Sequence, residues 1–382
     1  MPRSFSVKLK PNPFLFIVLF TLLAVASGRS AVNASPASLS GVVFADQNTN
    51  GKRDPSEPGL EGVLVSNGTR VVATDAAGRY TLPVAERYAV FVVKPPGYAL
   101  PRGAHNLPLF YRLHWPAGSG ENLRYAGVPA TGELPAAHDF ALIPAAPREA
   151  FSVLVIADPQ VHNPTQIDYY ERRFVEELSA RNDFAFGVVL GDIVRNDLSL
   201  FDPCLPVNAR LPGPIFHAVG NHDIDYDATS LTTAVATFNR HFGPANYAIM
   251  EGSVVFLILN NVFTPLPGAA KADGEYIGGL TPEAGTFVAS LLPHLPEDRL
   301  IVLCQHIPFV PGFASPTAHR AGRSSPIARP ALRAPRSGTR RPHPHAVACF
   351  PRPGKRLAGN GAAAPVGGRH GLRQLVGRRS RR

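Results

Sequence analysis

Two short apolar runs, each followed by a glycine and a polar residue, constrain the fold of this chain more than any other feature. The first run, Phe186–Leu190, precedes Gly191-Asp192. The second, Ile215–Val219, precedes Gly220-Asn221-His222-Asp223. Apolar runs of this length that end at turn residues indicate buried strands. Ligands of open α/β sheets bind outside the carboxyl ends of the strands. The two runs therefore predict an α/β sheet with a polar site at one edge.

The sequence around these runs alternates between strand and helix patterns. Strands are predicted at Phe151–Ala157, Phe184–Leu190, Ile215–Val219, Val254–Asn260 and Leu300–Gln305. Helices are predicted at Gln166–Ala180, Leu231–Phe242 and Pro282–Leu292. This alternation predicts a layered α/β domain over residues 150–310.

Residues 38–147 have the pattern of a separate all-β domain. Short β-rich runs at Gly62–Val65, Val71–Thr74, Tyr80–Val84 and Tyr88–Val93 are separated by glycine- and proline-containing turns. This spacing predicts a small β-sandwich. The predicted fold class is thus α/β, a layered sandwich preceded by a small all-β sandwich.

One loop of the predicted β-sandwich fits a calcium-binding pattern. Residues 46–57 match D-x-[DN]-x-[DN]-G-x5-E at every fixed position. Ca²⁺ takes six to eight oxygen ligands. The candidate ligands are Asp46, Asn48, Asn50, the Lys52 carbonyl, Asp54 and Glu57. The flanks resemble strands rather than helices, so a polar turn without metal stays open as the alternative.

Polar residues also gather at the predicted strand ends of the α/β domain. They are Asp158, Gln160, Asp192, Asn221, His222 and His306. Mixed oxygen and nitrogen ligands suit Mn, Fe or Zn better than Ca. Two such ions about 3.5–4 Å apart clamp the attacking and leaving oxygens of a phosphoryl group. Taken singly, several of these residues are also common in turns.

These blocks resemble those of the calcineurin-like metallophosphoesterases across residues 151–310. The resemblance implies two divalent ions: Asp158 and Gln160 on the first, Asp192 between them, and Asn221 and His306 on the second. It implies a catalytic role for His222 at the leaving oxygen. Gln160 stands where the family more often has His. The family's Gly-His-x-His block is absent after His306, and His343-Pro-His345 lacks the glycine and the preceding strand.

A second resemblance covers residues 40–98, which are similar to the B-type repeats of bacterial surface adhesins. Phe44–Glu57, Gly59–Val65, Thr74–Tyr80 and Pro95-Pro-Gly-Tyr98 follow the order of those repeats. This resemblance implies a β-sandwich that serves as a spacer or binding module, sometimes with calcium.

The two ends of the sequence differ in composition from the rest. Residues 1–26 combine basic residues with the apolar run Phe14–Ala26, which predicts a cleaved signal peptide, a secreted or periplasmic protein and no stable membrane anchor. From Pro311 onward there are 16 Lys and Arg residues and no Asp or Glu. The preceding residues therefore hold the other 22 of the 38 basic residues against all 28 acidic ones. Residues 311–382 are predicted to be a disordered basic tail, and a frameshift would explain them.

Three functional hypotheses follow. The first is a secreted hydrolase of a phosphate mono- or diester, impaired if the Gly-His-x-His block is lost. The second is an exported β-sandwich binding module with an inactive phosphoesterase remnant. The third is a nucleic-acid binder that uses the basic tail. No specific nucleic-acid partner is expected, because the net charge of +10 belongs to that tail.

Overall fold

The computed structural model describes residues 38–120, 123–263 and 276–308, and the backbone of two short strands further along the chain. The predicted signal peptide and most of the basic tail lie outside the described residues. Export through the signal peptide and disorder of the tail therefore stay predictions. None of the helices within the described ranges has the length and apolar character needed to cross a bilayer.

The N-terminal part is a β-sandwich of two four-stranded sheets. Its strands are β1 (Ser38–Ala45), β2 (Leu64–Ser66), β3 (Val71–Ala73), β4 (Arg79–Pro83), β5 (Tyr88–Val92), β6 (Tyr98–Ala99), β7 (Tyr111–His114) and β8 (Phe140–Pro144). One sheet has the order β4-β1-β8-β6 and the other β3-β2-β5-β7. The alternation of buried and exposed residues along β1 and β4 places one face of their sheet in the core.

The second part is a layered α/β fold. Its elements to residue 251 are β9 (Ser152–Ile156), α1 (Pro164–Tyr170), α2 (Glu176–Ser179), β10 (Phe186–Val189), α3 (Phe201–Asn208), β11 (Ile215–His217), α4 (Ala236–Phe242) and β12 (Tyr247–Glu251). Then follow β13 (Val254–Ile258), β14 (Val262–Phe263), β15 (Ile277–Gly278), α5 (Pro282–Leu291), β16 (Leu300–Cys304), β17 (Ala346–Cys349) and β18 (Leu375–Val376). The two large sheets have the orders β11-β10-β9-β18 and β12-β13-β16-β17, and β14 pairs with β15. Strands β9, β10 and β11 run parallel, so their carboxyl ends share one edge.

One cluster of buried apolar side chains extends from the β-sandwich into the α/β layers. Phe91 of β5 packs edge-on against Phe287 of α5, with ring centroids 5.5 Å apart. Phe110 lies 5.7 Å from Phe216 and 5.0 Å from Tyr247 by the same measure. The two parts therefore share a core, while the predicted boundary between them stays a prediction.

The elements differ from the sequence prediction in two informative places. The helix predicted at Gln166–Ala180 is interrupted between α1 and α2 by a π-helical turn, Glu171–Val175. Helix α3 was not predicted, because Pro206 within it removes a backbone donor and signals a loop. In the segment expected to be a basic tail, β17 pairs with β16, and β18 pairs with β9.

Candidate metal centre

The site is built where four strands end. Asp158 follows β9, Asp192 follows β10, Asn221 and His222 follow β11, and His306 follows β16 of the second large sheet. His306 Nδ1 lies 2.9 Å from the carbonyl oxygen of Leu190, which joins the ends of β16 and β10. The two sheets thus bring the predicted residues to one edge of the fold.

Two glycines allow the loops after β10 and β11 to touch. A Cβ on Gly220 would lie 1.9 Å from the backbone nitrogen of Asp192 and 2.3 Å from its Oδ1. A Cβ on Gly191, whose φ is +89°, would lie 2.6 Å from the backbone nitrogen of Gly220. Both motifs begin with glycine because any side chain there would push Asp192 away from the loop that carries Asn221.

Three of the predicted ligand residues have left-handed backbone conformations. Asp158, Gln160 and Asp192 have φ values of 50°, 45° and 51°. This region is unfavourable for residues other than glycine, and such strain clusters at functional sites. The Gln160 backbone is held there by a hydrogen bond from its amide nitrogen to the Asp192 carbonyl oxygen, at 2.7 Å. The constrained backbone therefore fixes the direction in which the polar side chains at this edge project.

Asp158, Asp192 and His306 form the centre of the site. Each offers one ligand atom, and these atoms lie within 4.8 Å of one another. Across the described ranges, this is the one group of three or more His, Cys, Asp or Glu side chains with that geometry. Gln160 Nε2 donates to Asp192 Oδ2 at 2.8 Å, and Asn221 Oδ1 lies 3.0 Å from His306 Nε2. All five predicted ligand residues are therefore in one place.

The hydrogen bonding of His306 fits a metal ligand. Its Nδ1 faces a carbonyl oxygen, which can only accept, so Nδ1 carries the hydrogen. The Nε2 lone pair of the neutral ring then faces Asn221 Oδ1 at 3.0 Å and Asp192 Oδ1 at 3.4 Å. A second proton on the ring, at Nε2, or a metal ion among these three atoms would satisfy them. A backbone carbonyl that orients the second ring nitrogen is also the usual support of a metal-binding histidine.

Burial is the main cause that raises the pKa of Asp158, to about 6. The nearby His306 lowers this pKa, and the Asp192 carboxylate raises it. In the metal-free protein the Asp158 carboxyl therefore titrates near neutral pH. A metal ion needs this carboxylate ionised, so metal and proton compete for it.

His222 lies beside the centre and is held on both sides. Its backbone nitrogen donates to Asp192 Oδ1 at 2.9 Å, and its Nε2 lies 4.0 Å from Asp192 Oδ2. Its Nδ1 is 2.6 Å from Asn196 Oδ1. Burial lowers the pKa of His222, although the Asp192 carboxylate opposes this. The ring thus presents Nε2 toward the centre.

Asp223 connects the two loops from beneath. Its fully buried carboxylate accepts from the backbone nitrogens of Ile193 (2.8 Å), Val194 (3.2 Å) and Gly220 (3.0 Å). Burial raises its pKa well above the ordinary value, although these three hydrogen bonds oppose the shift. Asp223 is therefore a structural link between the loop of Asp192 and that of Asn221.

The predicted calcium loop is ordered around two buried carboxylates. Asp46 accepts from the backbone nitrogens of Asn50 (3.2 Å) and Gly51 (2.9 Å). Glu57 accepts from those of Gln47 (2.8 Å) and Asp54 (3.0 Å). The side-chain nitrogens of Asn48 and Asn50 donate to Asp54 Oδ2 at 2.6 Å and 3.0 Å. Calcium binding by this loop, with the Lys52 carbonyl among the ligands, stays a prediction.

Sequence reasoning missed two residues that support the site. Asn196 contacts the His222 ring, and the hydroxyl of Tyr226 donates to the Asn221 carbonyl oxygen. The position of Asn196, four residues after Asp192 in a segment with no periodicity, gave no signal beyond the tolerance of asparagine for left-handed turns. His343 and His345, weighed as a replacement for Gly-His-x-His, lie outside the described residues.

Residues 47–126 match the family described as the N terminal of calcineurin-like phosphoesterase. This match falls on the β-sandwich and ends in the loop between β7 and β8. No curated protein matches the chain.

Solved structures show only distant similarity. A purple acid phosphatase from yellow lupin (Lupinus luteus) seeds has 12% identity and a TM-score of 0.35, over 71% of this chain and 50% of its own. A dimetal phosphatase from Danio rerio has 14% identity and a TM-score of 0.30, over 43% of this chain and 72% of its own. The shaft pilin SpaA of Lactobacillus rhamnosus GG has 10% identity and a TM-score of 0.18, over 32% and 55%. This chain thus spans about half the length of the lupin phosphatase chain.

Proposed function

We propose that this protein is a metal-dependent phosphoesterase that hydrolyses a phosphate mono- or diester. The observation that carries the proposal is the meeting of Asp158, Asp192 and His306 within 4.8 Å, with Gln160 and Asn221 beside them. The match of residues 47–126 to a calcineurin-like phosphoesterase family supports it. Export through the predicted signal peptide is part of the proposal.

Each residue has a distinct part in the proposed chemistry. Asp158 and Gln160 would hold one divalent ion, Asn221 and His306 would hold a second, and Asp192 would serve both. Divalent Mn, Fe or Zn ions bound there supply a Lewis acid and lower the pKa of bound water. With both ring nitrogens protonated, His222 would direct Nε2–H at the position of the leaving oxygen and donate a proton to it, while Nδ1–H stays on Asn196 Oδ1. The strained backbone at Asp158 and Asp192 keeps these groups aimed before substrate arrives.

Hydrolysis of bis(p-nitrophenyl) phosphate by the purified protein with added Mn²⁺ tests the proposal. We expect turnover that falls more than about 100-fold in Asp192→Ala, because even groups that only orient metal ligands are worth 10–100-fold. Asp202→Ala is the matched control, since the Asp202 side chain is 78% exposed and its contact is with His241 of α4, away from the metal centre. Equal turnover in wild type and Asp192→Ala, or none in wild type, would reject the proposal and favour a binding module with an inactive remnant.

A further inference from the structure

Asn196 holds His222 at two points. Its side-chain Oδ1 lies 2.6 Å from His222 Nδ1, and its backbone nitrogen donates to the His222 carbonyl oxygen at 3.2 Å. Because an amide oxygen only accepts, His222 Nδ1 carries the hydrogen, and the ring is fixed with Nε2 toward the metal centre. Asn196 therefore sets both the tautomer and the direction of the ring.

Asn196 is itself in an unfavourable conformation, with φ of 63°. Its carbonyl oxygen accepts a hydrogen bond of 3.0 Å from the hydroxyl of Tyr125. Tyr125 lies in the loop between β7 and β8 of the β-sandwich, 71 residues earlier in the chain. A strained residue persists only where its surroundings fix it, and the Tyr125 hydroxyl supplies part of that fixation.

The segment around Tyr125 is firmly attached to the α/β layers. The backbone nitrogen of Arg124 donates to Asp227 Oδ2 at 2.5 Å, in the loop that follows His222. The carbonyl oxygen of Ala126 accepts from Arg240 of α4 at 3.1 Å. These contacts hold the backbone on both sides of Tyr125, and the hydroxyl reaches the loop of Asn196 from there.

We propose that Tyr125 is a positioning residue of the metal centre, acting through Asn196 on the ring of His222. The inference rests on the proposed function, in which His222 serves the leaving oxygen. It makes the loop between β7 and β8 of the β-sandwich part of the active site. The α/β layers alone would hold the metal ligands but would leave His222 poorly oriented.

A double-mutant cycle with Tyr125→Phe and Asn196→Ala tests the path. Tyr125→Phe removes the hydroxyl, with its hydrogen bond to the Asn196 carbonyl and its interactions with Asp197 and Leu198, and is expected to lower kcat about 2- to 10-fold with KM unchanged. Asn196→Ala is expected to lower kcat about 10-fold or more. If Tyr125 acts through Asn196, adding Tyr125→Phe to Asn196→Ala lowers kcat no further. An equal loss in both backgrounds overturns the proposal.

Tyr170→Phe is the matched control. The Tyr170 hydroxyl donates to Asn208 Oδ1 at the same distance, 3.0 Å, between α1 and α3. Tyr170→Phe should lower the melting temperature as Tyr125→Phe does and leave kcat unchanged. Tyr125→Phe should also lower turnover more for alkyl leaving groups than for p-nitrophenol, because only poor leaving groups need His222. The same loss with both leaving groups contradicts the proposal.

A nitrogen NMR measurement decides the inference without activity. In metal-free protein labelled with ¹⁵N-histidine, the His222 signal, identified by its loss in His222→Gln, should show a hydrogen on Nδ1. It should move toward a mixture of tautomers in Asn196→Ala and in Tyr125→Phe, and stay in place in Tyr170→Phe. An unchanged signal in Tyr125→Phe overturns the positioning role. If wild-type protein hydrolyses no ester, the proposed function fails, and this spectrum still decides whether Tyr125 positions His222.

Discussion

Replacing Lys94 by methionine removes the positive charge from a buried ion pair between the β-sandwich and strand β12. Lys94 Nζ lies 2.7 Å from Glu251 Oε2, and the two side chains are 10% and 8% exposed. The ammonium also donates to the Met250 carbonyl oxygen at 3.1 Å. Burial lowers the pKa of Lys94 even though Glu251 raises it, so desolvation outweighs pairing at this site.

The magnitude follows from the charge left behind. Lys94→Met leaves a buried carboxylate without a partner, which typically costs about 3–5 kcal/mol of unfolding free energy. Glu251→Met leaves a buried ammonium and should cost about as much. The double variant buries two apolar chains and should cost far less than the sum, because replacing both partners of a buried pair is often close to neutral.

Urea denaturation of the wild type, both single variants and the double variant measures this coupling. Arg181→Met, which breaks the exposed Arg181–Asp183 pair, is the control and should change the midpoint little. Additive losses in the double variant, or a Lys94→Met loss as small as that of Arg181→Met, would refute a shared buried core of the β-sandwich and the α/β layers.

Three further predictions concern protons and metals. Metal affinity should rise with pH up to about 6 and then level off, because Asp158 must lose its proton; Mn²⁺ titration calorimetry from pH 5 to 7.5 checks this, and a flat profile contradicts it. His217 is fully buried and has a pKa of about 3, so the unfolded chain takes up its proton first as pH falls. The free energy of unfolding should therefore fall by up to about 1.4 kcal/mol per pH unit between about pH 6.5 and pH 3. Urea denaturation should show a smaller fall in His217→Leu, and an equal dependence on pH in both proteins would refute the prediction. Ca²⁺ should raise the melting temperature of wild type but not of Glu57→Ala, and no rise in wild type would leave the loop 46–57 a metal-free turn.

The site could be predicted from sequence because its residues follow strong local signals. Apolar runs that end in glycine mark where strands leave the core, and parallel strands bring their ends to one edge. That logic placed Asp158, Asp192 and Asn221 correctly beside one another. Their assignment as metal ligands stays a prediction.

The supporting residues could not be predicted in the same way. Asn196 reaches His222 only because a left-handed turn reverses the chain there, and no periodicity announces such a turn. The contact of Tyr125 with Asn196 joins residues from different parts of the fold, so it depends on how the β-sandwich segment packs. The proline within helix α3 predicts a loop there. The helix forms nevertheless, because burial of Phe201 and Leu205 outweighs the local preference of proline.

The stoichiometry of bound Mn²⁺ tests the central claim most directly. Equilibrium dialysis of metal-free protein should give two bound ions per chain, held between Asp158, Asp192 and His306 and their neighbours, and Asp192→Ala should lose both, because its carboxylate lies between them. If the wild type binds no Mn²⁺, or if Asp192→Ala binds as much as the wild type, these strand-end residues do not form a dinuclear metal centre.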